Sequence, residues 1–128
     1  MSENNTIKNQ AELKQRFKTF SLRVIRMYTK LPKDNAVAQV IGRQVLRSAT
    51  SVGANYIEAS RSRSKAEFIA KTGDSLKEIA ETQYWLELLV ESGVVKNDKM
   101  ADLLDESSQL VAIITSINKK SKMELNPK

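Results

Sequence analysis

Apolar residues recur along this 128-residue chain at steps of three and four, the period of a helix with one buried face. Leu13, Phe17, Phe20, Val24, Met27 or Tyr28, and Leu31 form the first stripe and predict a helix from about residue 9 to Leu31. Pro32 ends it, because the residue before a proline is pushed out of helical geometry. Asp34 or Asn35 can cap a second helix, whose inward side reads Val37, Val40, Ile41, Gln44, Val45, Ser48, Val52, Asn55, Tyr56 and Ala59. Gly42 and Gly53 fall outside that stripe, where they allow another backbone to come close. Ser64 followed by Glu67 has the form of a capping box and opens a third helix. Its inner face is Phe68, Thr72, Leu76, Ile79, Gln83, Leu86 and Val90, and Gly93 suits its C-terminal cap. Asn97 or Asp98 opens a fourth, with Met100, Leu103, Leu104, Ser107, Leu110, Val111, Ile114 and Ile117 inward. The polar stretches 1–8 and 119–128 are expected to be flexible ends.

No alternating strand pattern competes with these stripes. Four helices joined by short turns predict an all-α fold, an antiparallel up-down-up-down four-helix bundle over residues 9–118, about 35 Å long. Stepping around each predicted helix also leaves apolar residues off the inner stripes. Leu22 and Ile25 on the first helix and Tyr84, Trp85 and Leu88 on the third are the main set, with Leu46, Ile57 and Ile113 beside them. A single stray apolar residue needs no explanation, but a set on several helices predicts a second buried surface. Self-association is the preferred occupant, since most soluble oligomers are closed homo-oligomers. A core broader than the predicted stripes is the competing explanation.

Charge adds a second pattern. The net charge is +6, and it is unevenly spread. Residues 1–66 hold 13 Lys and Arg against 4 Asp and Glu, whereas residues 67–128 hold 8 against 11. Arg16, Arg23, Arg26, Lys30 and Lys33 fall within about a third of the first helix's circumference. Arg43, Arg47 and Arg61 share an edge of the second helix, and Arg61, Arg63 and Lys65 gather at the turn into the third. The planar fork of arginine suits phosphate oxygens and carboxylates alike. The stripes therefore have two readings: they track a nucleic-acid backbone, or they pair with acids such as Asp74, Glu78 and Glu81 on one edge of the third helix. No base-reading motif is visible, so any nucleic-acid binding is expected to be led by shape and charge.

The chemistry of an enzyme is hard to place. The chain has no His and no Cys, which removes the commonest neutral-pH general base, the commonest metal ligand and the thiol nucleophile. The acids lie mostly off the inner stripes, so a carboxylate-bridged metal site of the kind bundles host is not expected. Ser48, Ser51 and Asn55 lack a basic partner and read as a hydrogen-bond cluster. There is no P-loop or dinucleotide fingerprint. A non-enzymatic protein with no cofactor and no metal is expected. The absence of disulfides, of a secretory leader and of any long apolar run points to the cytoplasm and away from the membrane.

The stretch RSATSVGANYIEASRSRSKAEFIAKTGDSLKEIAETQYWLELL, from Arg47 to Leu89, resembles the bacterial four-helix-bundle family of 23S rRNA intervening-sequence proteins. The resemblance rests on the Arg-Ser-Ala-x-Ser-Val-Gly-Ala-Asn run at 47–55, Glu58-Ala59, Ser64-x-x-Glu67-Phe68-Ile69, and Glu81-Thr82 before Tyr84-Trp85-Leu86. The first helix and the Lys30-Leu31-Pro32 turn agree more loosely, and the family the stretch resembles is related to the accessory variability determinant proteins of diversity-generating retroelements, which work with a reverse transcriptase. The resemblance implies a left-handed antiparallel bundle, a homopentamer with a basic surface, and nucleic-acid binding. The expectation is an oligomer that binds nucleic acid, RNA rather than DNA, through Arg16, Arg23, Arg26, Lys30, Arg43, Arg47, Arg61 and Arg63. The alternative is a protein–protein adaptor, for example an accessory subunit of a reverse transcriptase, using the same basic surface.

Overall fold

The computed structural model describes residues 3–126, with side chains described from Gln10 onward. It is an all-α bundle of α1 (Glu3–Thr29), α2 (Ala36–Ser60), α3 (Lys65–Glu91) and α4 (Asn97–Leu125). Successive helices are antiparallel neighbours. The α2–α3 contact is the most extensive, and α1 and α4 close the bundle with the slightest one. The two connections at one end, residues 30–35 and 92–96, lie opposite the α2–α3 turn at the other.

Local chemistry sets the helix boundaries. α1 ends two residues before Leu31, with Lys30 and Leu31 N–H groups bonding back to the Met27 and Tyr28 carbonyls. Asn35 caps α2, its side-chain oxygen accepting from Ala38 N–H at 3.0 Å. Ser64 caps α3 by accepting from Glu67 N–H at 3.0 Å, while the Glu67 carboxylate reaches back to Arg63 N–H at 2.7 Å. Gly93 takes the left-handed conformation (φ 84°) that releases the chain from α3. The predicted Asn97 or Asp98 cap is corrected: Lys96 holds that position with no side-chain cap. The last helix also runs on past 118 to Leu125, because Asn118 and Ser121 are buried and the intervening lysines suit the C-terminal end of a helix dipole. Likewise α1 begins at Glu3, within the expected loose start. Residues 1, 2, 127 and 128 of the expected flexible ends lie outside the described residues.

The core is Phe17, Phe20, Val24, Val45, Val52, Ile79, Leu86, Leu89, Met100, Leu110 and Ile114, with Tyr56 against Phe17 at a ring separation of 5.0 Å. Two parts of the predicted α2 stripe need correction. Val37 and Val40 are about half exposed, while Ala38, Gly42 and Ala49 are buried instead. Gly42 is not outside the packing: a Cβ there would meet Leu31 Cδ1 at 2.5 Å, so its hydrogen admits α1 against α2. Gly53 performs the same role opposite Phe17.

The α2–α3 seam is close because its buried residues are small. The Ser48 and Thr82 hydroxyls share a hydrogen bond at 2.8 Å, and Thr82 Oγ1 also lies 2.8 Å from the Glu78 carbonyl. Ser75 donates across the seam to the Val52 carbonyl at 2.8 Å. Between α3 and α4, Asn118 donates to the Ile69 carbonyl and to Thr72, and Gln83 donates to Ser107 and Ser108. Among the described residues no buried side-chain polar atom lacks a partner, so this polar interior carries no desolvation debt.

Candidate functional site

The eight predicted basic residues do not form one surface. Two of them are engaged within the bundle. Arg16 makes a two-pronged bond to Glu106 of α4, at 2.8 and 3.1 Å, and a further bond to Gln109 at 3.1 Å. The bond to Glu106 raises the Arg16 pKa above its already high ordinary value. Arg47 pairs with Glu78 at 3.4 Å and with Glu81 on α3. Glu81 also accepts from the Trp85 indole at 3.0 Å. The ionic reading of the α2 stripe therefore describes Arg47, and the Arg16–Glu106 bridge from α1 to α4 is one the sequence reading did not anticipate.

Arg23, Arg26 and Lys30 behave differently. Arg23 and Arg26 lie on the last two turns of α1, with Lys30 just past its end, on the side toward α4. There they line a cleft of about 570 Å³ together with Lys96 and Lys99. Its floor is apolar, made by Met27, Leu31, Pro32, Val94, Val95 and Leu103. Asp102 is the one acid on its wall. Among the described residues no carboxylate lies within 4.0 Å of any of these five cations. Five positive groups around one acid and an apolar floor produce a focused positive potential at that end of the bundle.

Lys96 and Lys99 were missed because they sit in the acidic half of the chain, about seventy residues from Arg26. The antiparallel pairing of α1 with α4 brings them together: once Arg16 faces Glu106, residues about two and three turns later along α1 face residues about two and three turns earlier along α4.

The remaining predicted cations lie elsewhere. Arg43 is exposed on α2, away from the cleft. Arg61 and Arg63 are exposed at the α2–α3 turn, at the opposite end. A groove of about 790 Å³ there takes in Leu13, Tyr56, Phe68, Ile117, Arg63, Lys65 and Lys120. Its charge is partly spent internally, since Lys65 bonds Glu124 at 2.7 Å and holds that carboxyl below its ordinary pKa. Lys71 bonds Glu58 at 2.7 Å on the outer edge of the α2–α3 seam.

The predicted second apolar surface divides similarly. Leu22 and Ile25 are 41% and 39% exposed, and Tyr84 is 56% exposed. Trp85 is half-buried against the core and stacks edge-on to Tyr84 at 5.2 Å, so it is in part the rim of the core. Leu88 is also half-buried, and Leu46 and Ile113 pack on the core. Among the described residues no three or more acidic side chains gather as metal ligands, and no helix is long and apolar enough to cross a membrane.

A search of curated proteins finds no match. Among solved structures, the chain is similar to a protein of unknown function from the S23 ribosomal protein family of Bacteroides thetaiotaomicron. The two share 34% sequence identity with a TM-score of 0.80, over 86% of this chain and 97% of that one. The family model for the 23S rRNA-intervening sequence protein matches residues 9–116, which span all four helices, and the chain belongs to that family.

Proposed function

We propose that this protein is a non-catalytic, oligomeric RNA-binding protein whose principal contact is the basic cleft between the end of α1 and the start of α4. One observation carries the reading: Arg23, Arg26, Lys30, Lys96 and Lys99 converge with no carboxylate of the described residues in salt-bridge range. Cations that stabilised the fold would be expected beside acids, as Arg16 and Arg47 are. The family's name, which connects it with 23S rRNA, favours RNA over other polyanions. Binding through about four phosphates releases counterions, so affinity falls about a hundredfold between about 50 and 200 mM salt. Fluorescence anisotropy with a structured RNA across that range tests the reading. Salt-independent binding, or capture of an acidic protein partner that survives nuclease in place of RNA, contradicts it.

Oligomerisation is proposed from the apolar residues that the bundle leaves outside. Leu22 and Ile25 belong to α1 and Tyr84 to α3, and α1 and α3 are not adjacent. Two unlike patches on different faces suit a head-to-tail contact, which closes into a ring when the rotation allows. The resemblance implies five subunits. Sedimentation of the wild type and of a Leu22→Lys, Ile25→Lys variant tests this: a ring falls to a lower mass in the variant, whereas a wild-type monomer at micromolar concentration contradicts it.

A further inference from the structure

The cleft is more than a charged surface, and its apolar floor calls for an occupant. A phosphate backbone satisfies the rim cations but leaves the half-buried Met27, Val94 and Val95 partly facing water above the buried Leu103. At about 570 Å³ the cleft lies within the roughly 300–1,000 Å³ range of sites that take a small molecule. The charge on the rim requires an anion, and the floor requires a flat apolar body attached to it. An unpaired nucleotide has both. Its base offers a face to pack on aliphatic side chains, and the phosphates on either side of it reach Arg26 and Lys99 across the mouth.

We propose that the cleft holds a single extruded nucleobase, so that the protein prefers RNA carrying a bulge or an unpaired loop nucleotide over uninterrupted duplex. This rests on the RNA-binding reading and sharpens it. The preference follows from an asymmetry of cost. Extracting a paired base requires breaking its stack and its pair, whereas a bulged base has only its stack to break. Sequence discrimination should be weak, because the apolar lining is aliphatic and packs on any base, while the rim cations are engaged by the flanking phosphates.

The test compares an RNA hairpin with the same hairpin carrying one bulged nucleotide, at one salt concentration. The wild type is expected to bind the bulged form roughly tenfold more tightly, at the low end for base stacking because the floor has no aromatic ring. Val94→Met narrows the cleft from the α3–α4 connection with a flexible aliphatic chain and leaves every rim cation in place. It is expected to bind the two hairpins more nearly alike than the wild type does, close to the wild-type affinity for the paired one, with a cooperative thermal melt showing that it folds. A second measurement needs no substitution: 2-aminopurine at the bulge should brighten on binding as it leaves its stacked neighbours. Equal wild-type affinity for the two hairpins, with unchanged 2-aminopurine emission, overturns the base cleft while leaving RNA binding in place. Failure to bind either hairpin overturns the RNA-binding reading itself.

Discussion

The α2–α3 seam and the α1–α4 seam use the same residue types for opposite ends. Along α2–α3, small side chains let the helices close, Ser48, Thr82 and Ser75 bond across the contact, and the one arginine at the edge, Arg47, is held by Glu78 and Glu81. Along α1–α4, among the described residues, one two-pronged bridge, Arg16 to Glu106, holds the middle, and toward the connecting loops five cations line a cleft with no carboxylate in salt-bridge range. The difference shows where basic charge is structural and where it is available. An arginine facing a carboxylate on a neighbouring helix is part of the packing. One lining the cleft without a carboxylate remains a site for an anion.

The contrast can be broken at several points. The largest effect is expected from Arg23→Glu with Arg26→Glu, which removes two phosphate contacts and adds two repulsions. RNA affinity should fall by about a hundredfold, with the melting temperature unchanged and a shallower salt dependence. Next is Ser75→Leu, which forces volume into the closed seam and removes the bond to Val52. Overpacking of this kind costs about 2 kcal/mol, readable as a lower denaturant midpoint. Arg16→Met cuts the only ion pair from α1 to α4 among the described residues and leaves the half-buried Glu106 unpaired. The cost is about 1 kcal/mol, kept small because the pair is partly exposed to solvent and salt.

The smallest effect concerns Tyr56, at the groove opposite the cleft. Burial pushes its hydroxyl above the ordinary value of 10.0. The unfolded chain therefore loses this proton first, and the folded state loses stability as pH rises from about 10 toward the raised value. Tyr56→Phe should flatten the fall in melting temperature between about pH 9 and 11, measured against the wild type so that lysine titration cancels.

Much of this was legible in the chain, and the remainder was hidden for identifiable reasons. The α1 stripe of Leu13, Phe17, Phe20, Val24 and Leu31 is buried as its period predicts, because large apolar residues on one face have nowhere else to go. Ser64, Glu67 and Gly93 mark their helix ends through local bonds and local backbone geometry, which need no tertiary context. The α2–α3 contact was harder to read. Ala38, Ala49, Ser75 and Thr82 are fully buried, yet small and hydroxyl-bearing residues give almost no hydropathic signal. Val37 and Val40 were placed inward by period alone. The buried face of α2 runs through Ala38, Gly42, Val45, Ala49 and Val52, which turns Val37 and Val40 outward although Ala38 between them is fully buried. For the candidate site, Arg23, Arg26 and Lys30 were visible as a stripe. Their partners Lys96 and Lys99 were not, because only tertiary pairing of the first and last helices joins the two groups.

The central claim is that the unpaired cations of the α1–α4 cleft, and not basic charge in general, bind RNA. It is tested most directly by measuring RNA affinity for two double charge reversals side by side at equal salt. One is Arg23→Glu with Arg26→Glu in the cleft. The other is Arg61→Glu with Arg63→Glu at the far end, which makes the same change in net charge. The account predicts a loss of about a hundredfold for the first and less than about fivefold for the second. Equal losses, or a cleft variant that binds as the wild type does, would contradict it.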